Sequence, residues 1–336
     1  MPFVAFDCEG PLTLNDNAFE YSKFMMPEGH RFFKQVSRFD DYLADIKKRP
    51  GYKPGDTLKL ILPFLKLFGA TNQSLREFSR KTLLFLPKIP EVLKEIKNLV
   101  PTFIISTSYK PYLEALAEAI EFPMDHIFCT EVDLDKVTLS KEEVKILEKL
   151  YQEILSYPTI EIPLRATSPS DLPSELLSVL ERMEEIFFEI IWNLDVGVFL
   201  REINPVGGEE KARACQQISE SLNVSFSEGF YVGDSITDMK ALTLLRENQG
   251  VSLAFNPNRY ALKTAEFYAL SKNGVIFKDL VKLFIEQGKE GLDSFVSFKD
   301  YEFQKVPSES EVFENLVDKC ENFRKIIRGA LIGELG

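Results

Sequence analysis

Four polar segments of this chain each place chemically capable side chains at the end of an apolar run or at the start of a helical one. In order they are Asp7-Cys8-Glu9-Gly10-Pro11-Leu12-Thr13, then Ser106, then Lys211, then Gly233-Asp234-Ser235-Ile236-Thr237-Asp238. Three carboxylates brought to one point repel each other unless a cation intervenes, and hard oxygen donors suit Mg²⁺. Mg²⁺ keeps most of its waters, so one or two protein carboxylates and a substrate phosphate oxygen complete its shell. Asp7 and Asp234 are the residues expected to supply those carboxylates. A lysine and a hydroxyl facing the same point would hold the remaining phosphoryl oxygens and offset charge in the transition state. A carboxylate in such a site can accept a phosphoryl group as an aspartyl phosphate. The chemistry to expect is Mg²⁺-dependent phosphoryl transfer.

The elements that must position these residues follow from the hydrophobic pattern. Phe3 to Phe6 reads as a buried strand that stops abruptly at the first carboxylate. Asn15 to about Lys97 has a helical period broken by Pro27, Pro50-Gly51, Pro54-Gly55, Gly69 and Pro87 to Pro90, which predicts several short helices. Thr102 to Ser108 is a second buried strand with a hydroxyl-rich end, followed by a helix over Pro111 to Ile120 and a short strand at Ile127 to Thr130. Ser140 to Leu155 opens with a capping box, Ser140 and Glu143, and Ser174 to Asn193 is helical beyond a Pro/Ser/Thr-rich loop. Glu209 to Leu222 is a helix, Gly229 to Val232 and Val251 to Phe255 are strands, and Asn258 to Thr264 is a helix. Val275 to Phe277 is read as another strand, Asp279 to Gln287 as its helix, and the tail as a charged loop with a last helix over about Ser310 to Leu331. Buried strands alternating with helices predict a parallel sheet covered on both faces, with the site at the carboxyl ends of the strands.

Composition bounds the function. The 336 residues carry 40 basic and 52 acidic side chains, a net charge of −12 that disfavours nucleic acid or an anionic membrane as the main partner. Cys8, Cys129, Cys215 and Cys320 form no CxxC pair, and His30 and His126 are the only histidines, so no zinc or haem spacing can be assembled. The most apolar stretches, Leu58 to Phe68 and Ile186 to Leu200, are interrupted by Lys59, Lys66, Glu189 and Asp195, so no membrane span is expected. No leader is expected ahead of the first strand, and reduced cysteines point to the cytoplasm.

The four segments, in this order and each after the correct element, resemble the signature motifs of the haloacid dehalogenase (HAD) superfamily. Asp7, Gly10 and Thr13 match the first motif, Ser106 the second, Lys211 the third, and Gly233, Asp234 and Asp238 the fourth. The run Gly250 to Asn256 resembles the strand after the fourth motif in phosphoserine-phosphatase-like members. The resemblance implies an α/β fold, a Rossmann-like three-layer parallel-sheet core with helical cap insertions. It assigns 1–13, 101–130 and 204–285 to the core, 14–100 to a helical cap, 131–203 to a second helical insertion and 286–336 to a tail with a helix. It also implies roles. Asp7 would be nucleophile and Mg²⁺ ligand, the backbone carbonyl of Glu9 and the carboxylate of Asp234 further ligands, and Asp238 would orient metal-bound water. Ser106, its neighbour Thr107 and Lys211 would bind the phosphoryl group.

One position departs from the pattern: Glu9 stands where phosphatases of this superfamily carry a second aspartate. It would protonate the leaving group and then activate water, one methylene further out than usual. The expected function is hydrolysis of a small phosphorylated metabolite by a cytoplasmic monomer or homodimer. Two alternatives differ in kind: transfer of the phosphoryl group to an alcohol, and a catalytically slow HAD-like accessory subunit. Arg31, Arg38, Arg76, Arg80 and Lys81 are candidates for holding a second anionic group, His30 is a weaker candidate contact, and Cys8 is expected to be a small buried hydrophobe.

Overall fold

In the computed structural model, which describes residues 2–163, 166–295 and 300–333, seven strands form one sheet in the order β3-β2-β1-β4-β5-β6-β7. The strands are β1 (Phe3–Phe6), β2 (Thr102–Tyr109), β3 (Ile127–Thr130), β4 (Gly229–Gly233), β5 (Val251–Phe255), β6 (Phe267–Ser271) and β7 (Tyr301–Lys305). The first six run parallel and β7 closes one edge antiparallel to β6. The inner strands β1, β4, β5 and β6 are buried throughout, as a parallel sheet between two helical layers requires. One face packs Val4, Phe6, Ile104, Val232, Leu253 and Phe255 under helices; the other packs Phe3, Ala5, Ile105, Tyr231 and Ala254 under a second set.

The helices are α1 (Asn17–Met25), α2 (Gly29–Asp41), α3 (Thr57–Leu67), α4 (Asn72–Thr82), α5 (Ile89–Lys97), α6 (Lys110–Ile120), α7 (Lys141–Ser156), α8 (Ser174–Glu185), α9 (Val198–Glu202), α10 (Glu209–Leu222), α11 (Met239–Glu247), α12 (Arg259–Thr264), α13 (Val275–Asp293) and α14 (Ser310–Arg328), with a final turn at Ala330–Gly333. The expected strand at Val275 to Phe277 is instead the first turn of α13. Ile276, Phe277, Leu280, Val281 and Phe284 repeat at helical spacing and are all buried on the sheet. The strand itself lies earlier, at Phe267–Ser271, in register with β5 through Leu253 and Phe267. The tail likewise holds more than a loop: Tyr301 and Phe303 turn inward and alternate with Glu302 and Gln304, the period of a half-exposed edge strand. No helix among the described residues is long and apolar enough to cross a membrane.

The two insertions share one hydrophobic core, separate from those of the sheet. Phe32, Phe39, Phe64 and Leu65 from the first pack with Leu147, Tyr151, Ile154, Met183 and Phe187 from the second. The α7 capping box forms as the sequence predicts, with Ser140 Oγ accepting from Glu143 N at 3.1 Å and Glu143 Oε2 from Ser140 N at 3.0 Å. Glu143 Oε1 also accepts from Val196 N, fixing the chain that returns to the core. Tyr151 sits 4.6 Å from the Phe32 ring and 4.8 Å from Phe68, and its hydroxyl donates to the Pro27 carbonyl. Helix α5, inside the range 14–100 assigned to the cap, packs instead on the sheet against α13, through Ile89, Val92, Leu93 and Ile96.

Asp40 at the end of α2 organises the loop that faces the sheet. Its carboxylate accepts from Tyr52 Oη at 2.5 Å, Gly55 N at 3.2 Å and Thr57 N at 3.1 Å. Burial lifts this carboxyl from its ordinary 3.8 to about 7. A carboxyl raised on folding contributes stability that is complete below its unfolded value and lost as pH rises through the folded one. The thermal midpoint should therefore fall between pH 4 and 7, this one group contributing at most about 1.4 kcal/mol per pH unit. Asp40→Asn should flatten that slope in a series of melting curves, and equal slopes for the two proteins would remove Asp40 as the cause.

Candidate active site

Strand order gathers the four motifs. Strand β1 lies between β2 and β4, so the chain emerging from its carboxyl end at Asp7 is flanked by Ser106 on one side and Asp234 on the other. The connection from β1 leads to β2 while β4 lies on the opposite side, a reversal that opens a crevice at the strand ends. Two glycines let the loops converge. Gly10 has φ +113°, and a Cβ there would overlap the Asp234 carboxylate; a Cβ on Gly233 would overlap Asp238.

Lys211, in the first turn of α10, is completely buried between two carboxylates. Its Nζ lies 2.9 Å from Asp7 Oδ1 and 2.7 Å from Asp238 Oδ1. Burial works against its charge, but Asp238 and Asp7 outweigh that and hold its pKa above the ordinary lysine value. Asp7 Oδ1 also accepts from Cys8 N at 2.7 Å. Burial pushes the Asp7 carboxyl well above its usual range; Asp238 adds to this, Lys211 opposes it and Asp234 adds again. Asp238 is the opposite case. Burial raises it, yet Lys211, the Tyr231 hydroxyl at 2.6 Å and the Asp234 amide at 2.9 Å leave it below its ordinary value. Ser235 N completes its set at 3.0 Å. Both oxygens of Asp238 are thus engaged, and it acts as the anchor for Lys211 and the turn after β4.

The remaining predicted residues fall into place unevenly. Ser106 is buried at the cavity wall, with its Oγ accepting from Ser108 N at 3.2 Å. The Thr107 hydroxyl donates to Val206 O at 3.0 Å, so it fastens β2 to the chain before α10. Glu9, partly buried, does not join the three aspartates: its Oε1 accepts from Asn17 N at 2.6 Å, at the start of α1. Its enclosure pushes its carboxyl well above the usual range; Asp16 adds to this, while Asn17 N, Arg328 and Ser108 oppose it. Cys8 is buried in the sheet core as expected. Arg31, Arg38, Arg76 and Arg80 pair with Glu28, Asp41, Glu114 and Glu118, and neither they, Lys81 nor His30 line the cavity.

A cavity of about 120 Å³ separates the strand ends from the cap, walled by Asp7, Glu9 and Ser106 below and by Phe33, Ser37 and Asp40 above. Its last wall was missing from the sequence expectations. Arg324 and Arg328 of α14 reach into it; Arg324 is buried and Arg328 partly so. Arg324 Nη1 donates to Asp234 Oδ2, and Arg328 Nη1 lies 3.5 Å from the same oxygen. A signal was present: Leu316, Cys320, Arg324 and Arg328 recur every four residues, so two cations occupy the stripe that a packed helix buries.

Oxygens of Asp7, Asp234 and Asp238 lie within 4.8 Å of one another in a buried cluster. Among the described residues no hydrogen bond reaches Asp7 Oδ2 or Asp234 Oδ1. An all-oxygen cluster with two such oxygens fits a hard divalent cation such as Mg²⁺. Asp7 and Asp234 would be its ligands.

No protein-family model and no curated protein matches the sequence. Among solved structures, gene product AF1437 from Archaeoglobus fulgidus is 29% identical and superposes with a TM-score of 0.85 over 100% of this chain and 99% of that one. Two likenesses are looser. A HAD family hydrolase from Salmonella enterica subsp. enterica serovar Typhi has a TM-score of 0.45 at 13% identity, over 76% of this chain and 62% of that one. A phosphoserine phosphatase in its apo form has 0.49 at 11%, over 83% of this chain and 97% of that one. At such scores the overlap adds nothing to what strand order and motif positions already establish. With Asp7, Ser106, Lys211 and Asp234 converging at the ends of a parallel sheet between two helical layers, the chain has a HAD-like α/β fold.

Proposed function

We propose that the chain is a HAD-type, Mg²⁺-dependent phosphatase that hydrolyses a small phosphomonoester through an aspartyl phosphate on Asp7. The observation that carries this is the contact between Lys211 Nζ and Asp7 Oδ1 inside a buried cluster of three aspartates. A lysine held between a carboxylate at a central strand end and an anchoring aspartate makes a place for a dianionic phosphoryl group.

Mg²⁺ held by Asp7, Asp234 and the Glu9 carbonyl would neutralise the non-bridging phosphoryl oxygens. Lys211 Nζ and Ser106 Oγ bind those oxygens and align phosphorus with Asp7. Asp7 attacks phosphorus, the bond from phosphorus to the ester oxygen breaks, and Glu9 gives its proton to the departing alcohol. Glu9 then takes a proton from water as that water attacks phosphorus, which returns the Asp7 carboxylate and releases inorganic phosphate. The hydrogen bond from Asn17 N holds one Glu9 carboxyl oxygen in place at the cavity wall. It also ties the acid to the first residue of α1, so cap position and proton transfer are linked. The cap residues Phe33, Ser37 and Asp40 over the cavity would limit access of bulk water to the phosphoryl group while the alcohol leaves.

Asp7→Asn should lower phosphate release from p-nitrophenyl phosphate and from a panel of phosphorylated metabolites by ~10³-fold or more. EDTA should abolish wild-type release and Mg²⁺ restore it. A variant that keeps most of its turnover would remove Asp7 as nucleophile. Glu9→Gln keeps the hydrogen bond to Asn17 N but cannot transfer the proton, so its kcat should drop about 10²- to 10⁴-fold. A kcat near that of wild type would take the acid–base role away from Glu9.

A further inference from the structure

The C-terminal helix ends inside the site, and the chemistry above gives it no task. Its anchoring has two parts. Leu316, Val317 and Cys320 bury against the sheet face that also holds Leu242 and Ala261. One turn further, Arg324 Nη1 donates to Asp234 Oδ2 and lies 3.4 Å from the Asp234 carbonyl. Arg328 reaches the same carboxylate oxygen and donates to the carbonyls of Leu14 and Asn15, just beyond the first motif. The last two turns therefore clamp the first-motif loop to the fourth-motif loop across the cavity. Charge and backbone carbonyls are joined there by partial apolar packing of Phe323 and Ile327 on the two sheet cores, while Ile326, between the arginines, is 72% exposed.

Asp234 is thus claimed twice. It is one of the two carboxylates with an oxygen left for a cation, and its other oxygen already faces two guanidinium groups. A divalent ion on Asp234 would sit within a few ångströms of Arg324 in a buried, weakly screened place, where like charges repel strongly. Each positive charge satisfies the same need, since an unpaired buried carboxylate is costly.

We propose that Arg324 is an internal counter-ion at the cation position, so that the last two turns of α14 and a divalent metal compete for Asp234. The C-terminal helix then controls metal loading: docked, it neutralises Asp234 and walls one side of the cavity; released, it yields the carboxylate to the metal and widens the way for substrate. This inference rests on the metal-binding half of the proposed function and not on the phosphatase half.

The test uses the full chain and reads binding, not turnover. Mn²⁺ affinity is measured by electron paramagnetic resonance, and Mg²⁺ affinity by calorimetry, for wild type and Arg324→Met, which keeps the bulk and removes the charge. Competition requires the variant to bind at least tenfold more tightly. In wild type, saturating Mg²⁺ should speed hydrogen exchange of the amides in 320–328 while leaving β1 and β4 protected. Equal or weaker affinity in the variant would overturn the proposal, as would slowed or unchanged exchange in 320–328. The exchange experiment needs no variant, so a misfolded Arg324→Met does not rescue the idea. Absence of metal binding by both proteins would overturn this inference and the metal chemistry together. Tighter binding by the variant with no phosphate release from any compound would support it and overturn the phosphatase alone.

Discussion

A lysine ammonium with no exposure to water, held between Asp7 and Asp238, is the interaction around which the site is arranged. A buried charge is tolerated only when it is paired and its hydrogen bonds are satisfied. Lys211 meets that condition through two carboxylates brought by different elements, one after β1 and one in the turn after β4. Asp238 in turn needs Tyr231, Asp234 N and Ser235 N to balance it. Removing any member leaves a bare buried charge, so β1, β4, α10 and the turn at Ser235 to Asp238 hold one geometry together. The position of Asp7 is a by-product of that balance.

The cap answers a different constraint. Each insertion has an apolar helix face that must be buried. They solve this by burying those faces against each other, which makes one helical body from two stretches far apart in sequence. Asp40 and its three donors shape the loop of that body nearest the cavity, and Glu9 touches it through Asn17 N. Movement of the cap would thus be felt by the residue assigned to proton transfer.

Net charge is settled locally, not over the whole surface. The chain carries −12, yet the cavity floor balances Asp7, Asp234 and Asp238 against Lys211, Arg324 and Arg328. Two of those three cations come from the last nineteen-residue helix, which no motif announces. An acidic protein can in this way present cations to an anionic ligand at one place, and α14 belongs to that place.

The sequence by itself determined whatever is local or periodic. Short buried runs ending in Asp7, Ser106 and Asp234 declared parallel strands with polar ends, and the capping box at Ser140 and Glu143 placed α7, because these signals are contained within a few neighbouring residues. Val275 to Phe277 misled because three apolar residues fit a strand or a helix turn equally well, and only the continuation to Leu280, Val281 and Phe284 against the sheet decides between them. Tertiary structure alone decided that Thr107 turns to Val206, that Glu9 engages the cap, that the two insertions share a core, and that Arg324 meets Asp234 across ninety positions of chain. Apart from Glu9 and Asn17, which are eight positions apart, these contacts join segments distant in sequence. Spacing along a chain carries no record of such distances until packing has chosen which faces meet.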